Sequence, residues 1–319
     1  MNRRFFVGLA MIACSSLAFA QGYPNKAVKI LVPFTAGSAT DILARTYGQR
    51  LSEMWKEPVV VENHPGAGGT IGAGLVAKAA PDGYTLLVNS AAQAYNSSIY
   101  SSLPYDTGKD FIDIIPLGGQ PNVLVVAPAS GIKTVAELIA QAKAKPGQLN
   151  FGSAGQGSGT HINAEKFKLA AGIDVVHIPY KGTPEALSDT MAGRVTYFFS
   201  PISAALPFVR DGKLNALAVS TAKRSSALPN VPTVAEAGLP GFDYSLWVGL
   251  FAPAGTPADV IDKIARDVRS AAESSEVKER LTTLGAEAIP MSPAQFKQFV
   301  DTEIVESGKV IKAAGIKAQ

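Results

Sequence analysis

The chain has 319 residues, 47% of them hydrophobic and 17% charged, which is too apolar for a disordered polypeptide and long enough for two domains. Its net charge is +3, and the 29 basic residues less Arg3 and Arg4 leave 27 against 26 acidic ones in the rest of the chain. With that balance and no Lys/Arg cluster, electrostatics offers no case for a nucleic-acid partner or for a basic helix on a membrane surface.

The first twenty residues read as a targeting segment. Arg3-Arg4 form a positive region, Phe5 to Ala13 an apolar one, and Ala18-Phe19-Ala20 a small-x-small cleavage site before Gln21. Its bacterial style points to export into the periplasm. The one cysteine, Cys14, lies inside this segment, so the mature chain carries no thiol, and a core of this size needs no disulfide. Met11-Ile12-Ala13-Cys14 also bears a faint likeness to a lipoprotein cleavage box, the alternative being a lipid anchor.

From Val28 the chain alternates strand and helix. Val28, Ile30, Leu31 and Val32 predict a buried strand stopped by Pro33. Phe34-Thr35-Ala36-Gly37-Ser38-Ala39-Thr40-Asp41 forms a turn, and a helical period begins at Ile42-Leu43. The first N–H groups of a helix lack internal partners and sit at the positive end of its dipole, so such a join attracts a carboxylate or phosphate. Four more joins follow. Val59-Val60-Val61 leads into Asn63 to Thr70, Tyr84 to Val88 into Asn89-Ser90-Ala91-Ala92-Gln93, Leu149-Asn150-Phe151 into Gly152 to His161, and Val175 to Ile178 into Pro179 to Pro184. In an open α/β sheet, ligands bind beyond the carboxyl ends of the strands, where such loops gather. Five polar, mostly uncharged loops there suit a small organic anion.

Other helices announce their starts. Thr134 to Glu137 and Ser292 to Gln295 are capping boxes, Thr256-Pro257 marks a start before the stripe Val260, Ile261, Ile264 and Val268, and Gly285 ends a helix with Val277, Leu281 and Leu284 inward. Two segments look like crossings between lobes: Val123 to Ala127, after an expected loop at Gly118-Gly119-Gln120-Pro121, and Tyr244 to Ala252, around Trp247. Residues 22–124 with 245–319 would form lobe I and 125–244 lobe II, around a hinge and a cleft. The expected class is α/β with largely parallel sheets flanked by helices.

Catalytic signatures fail. Gly66-Ala67-Gly68 meets Ile71 and Gly155-Gln156-Gly157 meets Thr160 where a third dinucleotide-binding glycine belongs. No strand precedes a Gly-Lys-Ser/Thr, and Ser158 lies between Gln156 and Thr160 rather than two glycines. His64, His161 and His177 lack ligand spacing. Neither turnover nor a cofactor or metal is expected.

Several stretches carry a resemblance. Tyr23-Pro24, Ile30 to Phe34 and Asp41 to Arg45 come first, then Val59 to Asn63 with Pro65 to Gly69, Ala80 to Leu87, Leu103 to Asp106 and Pro179 to Gly182. Leu228 to Gly238 and Ala252 to Pro257 complete the set. In order and over the whole mature chain, they resemble the substrate-binding proteins of tripartite tricarboxylate transporters, the Bug-type periplasmic receptors. The resemblance implies a two-lobed, type II-like periplasmic binding fold that closes on one carboxylated molecule and hands it to an integral-membrane permease. It implies carboxylates held by backbone amides, hydroxyls and water, with no obligatory arginine. Thr35 and Ser38 stand where the family often has Pro and Gly, and Ser200-Pro201 where many members have an acidic residue and Asn. The missing acid disfavours an α-amino acid and favours a plain mono- or dicarboxylic acid.

The expected ligand residues are therefore Thr35, Ala36, Gly37 and Ser38, beside an apolar wall from Phe34, with Ser90 and Gln93 on the same lobe. Ser153, Gly155, Gly157, Ser158, Thr160 and His161 face them from the other lobe, with Tyr180 and Ser200 near by and Lys181 either solvated or the only nearby positive charge. His161, in a first helical turn, should have a lowered pKa and stay neutral. Asp41 fits the helix start better than an anion, and His64, His177 and Trp247 fit local packing. A monomer is expected. A sensory co-receptor that presents its closed form to a membrane kinase would show the same sequence, whereas a secreted hydrolase lacks its nucleophile and base.

Overall fold

The computed structural model describes residues 22–313, 315 and 316. The targeting segment lies outside them. In chain order, β1 (Val28–Val32) leads into α1 (Ala39–Trp55), β2 (Val59–Asn63) into α2 (Thr70–Ala77), and β3 (Thr85–Ser90) into α3 (Ala92–Ile99). The long strand β4 (Phe111–Val126) follows, then α4 (Val135–Ala144), β5 (Asn150–Ser153), α5 (Gly159–Ala171), β6 (Val176–Pro179) and α6 (Thr183–Met191). After β7 (Tyr197–Pro201), α7 (Ile202–Arg210) and β8 (Asn215–Val219), the chain returns through β9 (Ser245–Pro253) to α8 (Ala258–Glu273), α9 (Ser275–Leu284) and α10 (Pro293–Ala313). All five expected strand-to-helix joins are present.

The strand order is β2-β1-β3-β9-β4-β7-β5-β6, with β8 also on β4. Pairings are parallel for β1–β2, β1–β3, β5–β6 and β5–β7, and antiparallel wherever β4 or β9 takes part. The α/β architecture thus carries a mixed sheet rather than a largely parallel one. The reason is the crossing itself. The chain leaves the first half along β4 and comes back along β9, so these neighbours run in opposite directions.

β4 pairs with β9 from Phe111 to Pro121 and with β7 and β8 from Asn122 onward. Gly118 to Pro121, expected as a loop, is therefore strand. Its glycines and proline misled because Pro121 stands at the last position of the pairing with β9, opposite Ser245, and Gly118, just after a bulge, lets the Glu287 carbonyl approach to 2.9 Å from where a Cβ would stand. At the change of partner, fully buried Ser220 joins the two crossing segments. Its N–H donates to Asn122 C=O (2.8 Å) and its C=O accepts from Tyr244 N–H (2.8 Å). Its Oγ accepts from Asn122 N–H (2.9 Å) and donates to Tyr244 C=O (2.7 Å).

Apolar burial explains the layers. Leu43, Tyr47 and Leu51 of α1 and Ile264 and Val268 of α8 pack with Ile30, Val248 and Leu250 on one face of the first sheet. Trp247, Phe251 and Phe296 cover the other, with α10. Val123, Val125, Phe198, Ile202 and Leu206 form the corresponding core of the second half. Each such side chain contributes roughly 1.5–3 kcal/mol by leaving water. The caps hold the helices in place. Thr134 Oγ1 accepts Glu137 N–H (3.1 Å), and Ser292 and Gln295 cap each other reciprocally. Thr256 does not cap α8, because its hydroxyl donates to Pro253 C=O (2.8 Å) and Pro257 stands at the cap position.

Candidate functional site

Five helices begin at one place between the two halves. Ser38, Ala39 and Thr40 open α1, Ser90 lies just before α3, Ser158, Gly159 and Thr160 open α5, Thr183 opens α6, and Pro201 precedes α7. With Phe34, Ala154 and Leu246 they surround a cavity of about 20 Å³, the room of one water molecule. No ionisable side chain is among these wall residues. In α1 the first helical bond runs from Ile42 N–H to Ser38 C=O, and in α5 from Ile162 N–H to Ser158 C=O. The N–H groups of Ala39, Thr40, Gly159 and Thr160 precede those bonds, at the positive ends of the helix dipoles.

The two main loops are braced differently. In the first, Asp41 accepts from Gly37 N–H (2.9 Å), Arg45 Nε (3.0 Å) and Asn63 Nδ2 (2.9 Å), and Asn63 Nδ2 also donates to Phe34 C=O (2.9 Å). Burial pushes the Asp41 carboxyl up, but hydrogen bonds from Arg45, Gly37 and Asn63 with the Arg45 charge outweigh it, so its pKa lies below the ordinary value. Asp41 thus fastens the helix start, as its position suggested. In the second loop the bracing is neutral. Thr160 Oγ1 accepts Ala154 N–H (2.9 Å), Ser153 Oγ accepts Gly155 N–H (3.0 Å), Ser158 Oγ accepts His161 N–H (3.3 Å), and His161 Nδ1 accepts Gly157 N–H (3.2 Å). Ser153 Oγ also pairs with His177 Nε2 at 2.6 Å, and the rings of His161 and His177 stack 4.1 Å apart. Burial drives the His161 pKa down to about 2, with His177 and Lys168 adding repulsion. His177 falls to about 4, again chiefly through burial. His161 is neutral as expected, though desolvation rather than the helix dipole is the main cause.

Of the residues singled out in the sequence, Phe34, Ser38, Ser90, Ser158 and Thr160 line the cavity. The others stand around it. Thr35 Oγ1 donates across the gap to Glu185 Oε2 (3.0 Å), Ala36 is exposed, and the Gly37 N–H is taken by Asp41. Ser153, Gly155, Gly157 and His161 brace their own loop. Gln93 is buried and accepts from Asn89 Nδ2 (2.8 Å), Tyr180 donates to Asp189 Oδ2 (2.6 Å), and Lys181 is exposed. Ser200, one residue before Pro201 on β7, turns to the opposite sheet face by strand alternation. Sequence reasoning missed Ala39, Thr40, Ala154, Gly159, Thr183, Pro201 and Leu246 as wall residues. The signal for Thr183 was present, in Gly182-Thr183-Pro184 at a helix start. The apolar ones carried no chemical mark.

The halves touch directly. Thr183 N–H donates to Ser38 Oγ (3.2 Å) and Tyr100 OH to Gln156 C=O (3.1 Å), so the cleft is closed. A larger groove of about 540 Å³ lies between α1 and α9, but it is walled by Arg45, Glu276, Glu279 and Arg280, charges of both signs. Size alone does not select the site.

Comparison with known proteins agrees with this geometry. Residues 43–316 match the family model described as tripartite tricarboxylate transporter family receptor. The chain is 37% identical over 314 residues to protein BugT of Bordetella pertussis, covering 98% of this chain and 96% of that one. It is 35% identical to a R. palustris protein solved with adipate, with a TM-score of 0.90 over 93% of this chain and all (100%) of the other. MatC from Rhodopseudomonas palustris, solved with bound malate, is 34% identical with a TM-score of 0.86, over 91% of this chain and 100% of that one. These are solute-binding receptors rather than enzymes, and the chain belongs to the tripartite tricarboxylate transporter receptor family.

Proposed function

We propose that this protein is a periplasmic receptor that captures a small organic carboxylate between its lobes and presents the closed complex to a membrane permease of the tripartite type. The observation that carries this reading is the convergence of five helix starts on one cavity without an ionisable wall. A carboxylate there meets N–H and O–H donors and no opposing charge. Four or five hydrogen bonds to a charged group, at roughly 1.5–3 kcal/mol each, give about 6–15 kcal/mol gross, which brackets the ~8 kcal/mol that micromolar affinity requires. The absence of an acidic side chain from the wall favours a plain carboxylate over an α-amino acid, whose ammonium group would go unmatched. The adipate- and malate-bound relatives support the same class.

In this reading lobe I and lobe II divide near the change of strand partner at Pro121 and Asn122, three residues before the boundary drawn from the sequence, and again near Tyr244. Ser220 ties the two crossings, and the lobes rotate about it to admit the ligand. The test is a thermal-shift panel of residues 21–319 with mono-, di- and tricarboxylates, amino acids and sugars. A ligand at about 100 times its Kd stabilises the native state by roughly 2.7 kcal/mol, a shift of a few degrees. Stabilisation confined to carboxylates is the expected outcome; stabilisation by sugars or neutral amides alone contradicts the reading.

A further inference from the structure

The start of α6 is completed by the other half of the molecule. Its cap position is Gly182, which has no side chain to accept a first-turn N–H. Ser38 takes that part from across the gap, its Oγ accepting Thr183 N–H at 3.2 Å. Ser38 is itself the cap residue of α1, yet its hydroxyl accepts nothing from that helix. The β1–α1 loop holds without it, because Asp41 accepts Gly37 N–H (2.9 Å). A hydroxyl placed to cap its own helix thus caps one in the opposite half.

Thr35, in the same loop, makes the neighbouring contact. Its Oγ1 donates to Oε2 of Glu185, in the first turn of α6, at 3.0 Å. Both residues are half-buried, so a bond to the carboxylate is less screened than on an open surface. Gly182 makes the approach possible. Its backbone is extended (φ −173°), a conformation open to any residue, so what the position needs is room. A Cβ there would overlap Thr35 Oγ1 and stand 2.9 Å from Ser38 Oγ. Neither Thr35 nor Glu185 lines the cavity. Their bond joins protein to protein beside it.

We propose that Thr35 and Glu185 form a latch that holds the two halves together and sets the ligand's affinity and residence time without touching it. This rests on the reading of two lobes that part to admit a carboxylate. When the lobes part, Thr35 leaves Glu185, and both groups return to water. The bond therefore counts toward the closed form alone. A contact of that kind raises the fraction of binding-competent molecules, and with it the apparent affinity, whatever the ligand. The Thr35 hydroxyl and the Glu185 carboxylate are positioning groups, and the helix starts behind them meet the ligand.

The test compares wild type with Thr35→Val, Glu185→Met and the double variant, and with Thr35→Ser, which keeps the donor. Ligand-free melting checks that each is folded. Calorimetry and stopped-flow with adipate and succinate read affinity and release, and small-angle X-ray scattering of the ligand-free protein reads closure. Thr35→Val and Glu185→Met should each weaken binding about tenfold, through faster release. The double variant should lose no more than either single one, because the two side chains make one bond. Each of these variants should also have a larger ligand-free radius of gyration, while Thr35→Ser should match wild type throughout. Folded variants with unchanged affinity and radius, or single losses that simply add in the double variant, overturn the latch alone. If neither acid binds wild type, the carboxylate reading fails, and the radii then decide the latch by themselves.

Discussion

The two loops that face each other across the cleft perform one task by different means. The β1–α1 loop is braced by an ionised carboxylate, with Asp41 gripping Gly37, Arg45 and Asn63. The β5–α5 loop is braced by hydroxyls and two neutral imidazoles, with Thr160, Ser153, Ser158 and His161 tying its own backbone and His177 pairing with Ser153. In both, the conspicuous polar side chains hold the loop, and the helix amides behind them are left to face the cavity. Most of the chemistry visible in these loops is scaffolding for backbone donors.

If the two walls work only together, a change that keeps them apart should have the largest effect. A Cβ on Gly68 would overlap the Gln156 carbonyl of the second loop, a clash with backbone across the contact between the two halves. Gly68→Ala should lower affinity about 100-fold or more, the loss of two or more hydrogen bonds to an anion, as read by calorimetry. Its melting temperature should change by only a few degrees. Undiminished affinity would mean that the lobes need not meet.

A smaller effect separates ligand donors from braces. Thr40→Val removes an unpartnered hydroxyl from the wall, so affinity should fall about tenfold while stability holds or rises. Ser158→Ala removes the cap on α5, so stability should fall by about 1 kcal/mol, seen as a lower urea midpoint. Equal behaviour of the two variants would erase the distinction between ligand donor and brace.

Acid should distinguish the braces themselves. The folded pKa values of His161 and His177 lie below the unfolded value near 6.5, so below that pH the unfolded chain binds protons that the folded one does not. Stability is fully present above about pH 6.5 and falls as pH drops toward about 4 for His177 and about 2 for His161. Asp41 is also depressed, but from an unfolded value near 4, so its contribution is lost only in stronger acid. His177→Gln should therefore flatten the pH dependence of unfolding between about 6.5 and 4, whereas Asp41→Asn should leave that window unchanged. The smallest effect is expected on affinity. With no ionisable wall residue, the Kd of a fully ionised diacid should stay within about twofold from pH 6.5 to 8.

The fold was legible because each strand-to-helix join carries its own local signature, an apolar run, a stop and a cap, which needs no tertiary information. The direction of β4 and β9 was not, because antiparallel pairing at the crossings follows from the chain's return and leaves no mark in composition. The cavity was half legible. Ser38, Ser90, Ser158 and Thr160 lie at helix starts, where the rule for anion binding pointed, and they line it, while Leu246 reaches it only through strand register set by residues far along the chain. The partners that Thr35 and Tyr180 take here, Glu185 and Asp189, were not legible, since a hydroxyl in a cleft loop carries no local mark of which carboxylate it will meet.

Whether helix amides recognise a carboxylate without a charged partner is decided by calorimetry with one acid and its uncharged twin. Residues 21–319 would be titrated with adipate or succinate, whichever stabilises more, and with the matching diamide of the same length. The acid should bind with micromolar affinity and the diamide at least about 100-fold more weakly, the difference between charged and neutral hydrogen-bond acceptors summed over several donors. Equal binding of the two, or tighter binding of the diamide, would contradict it.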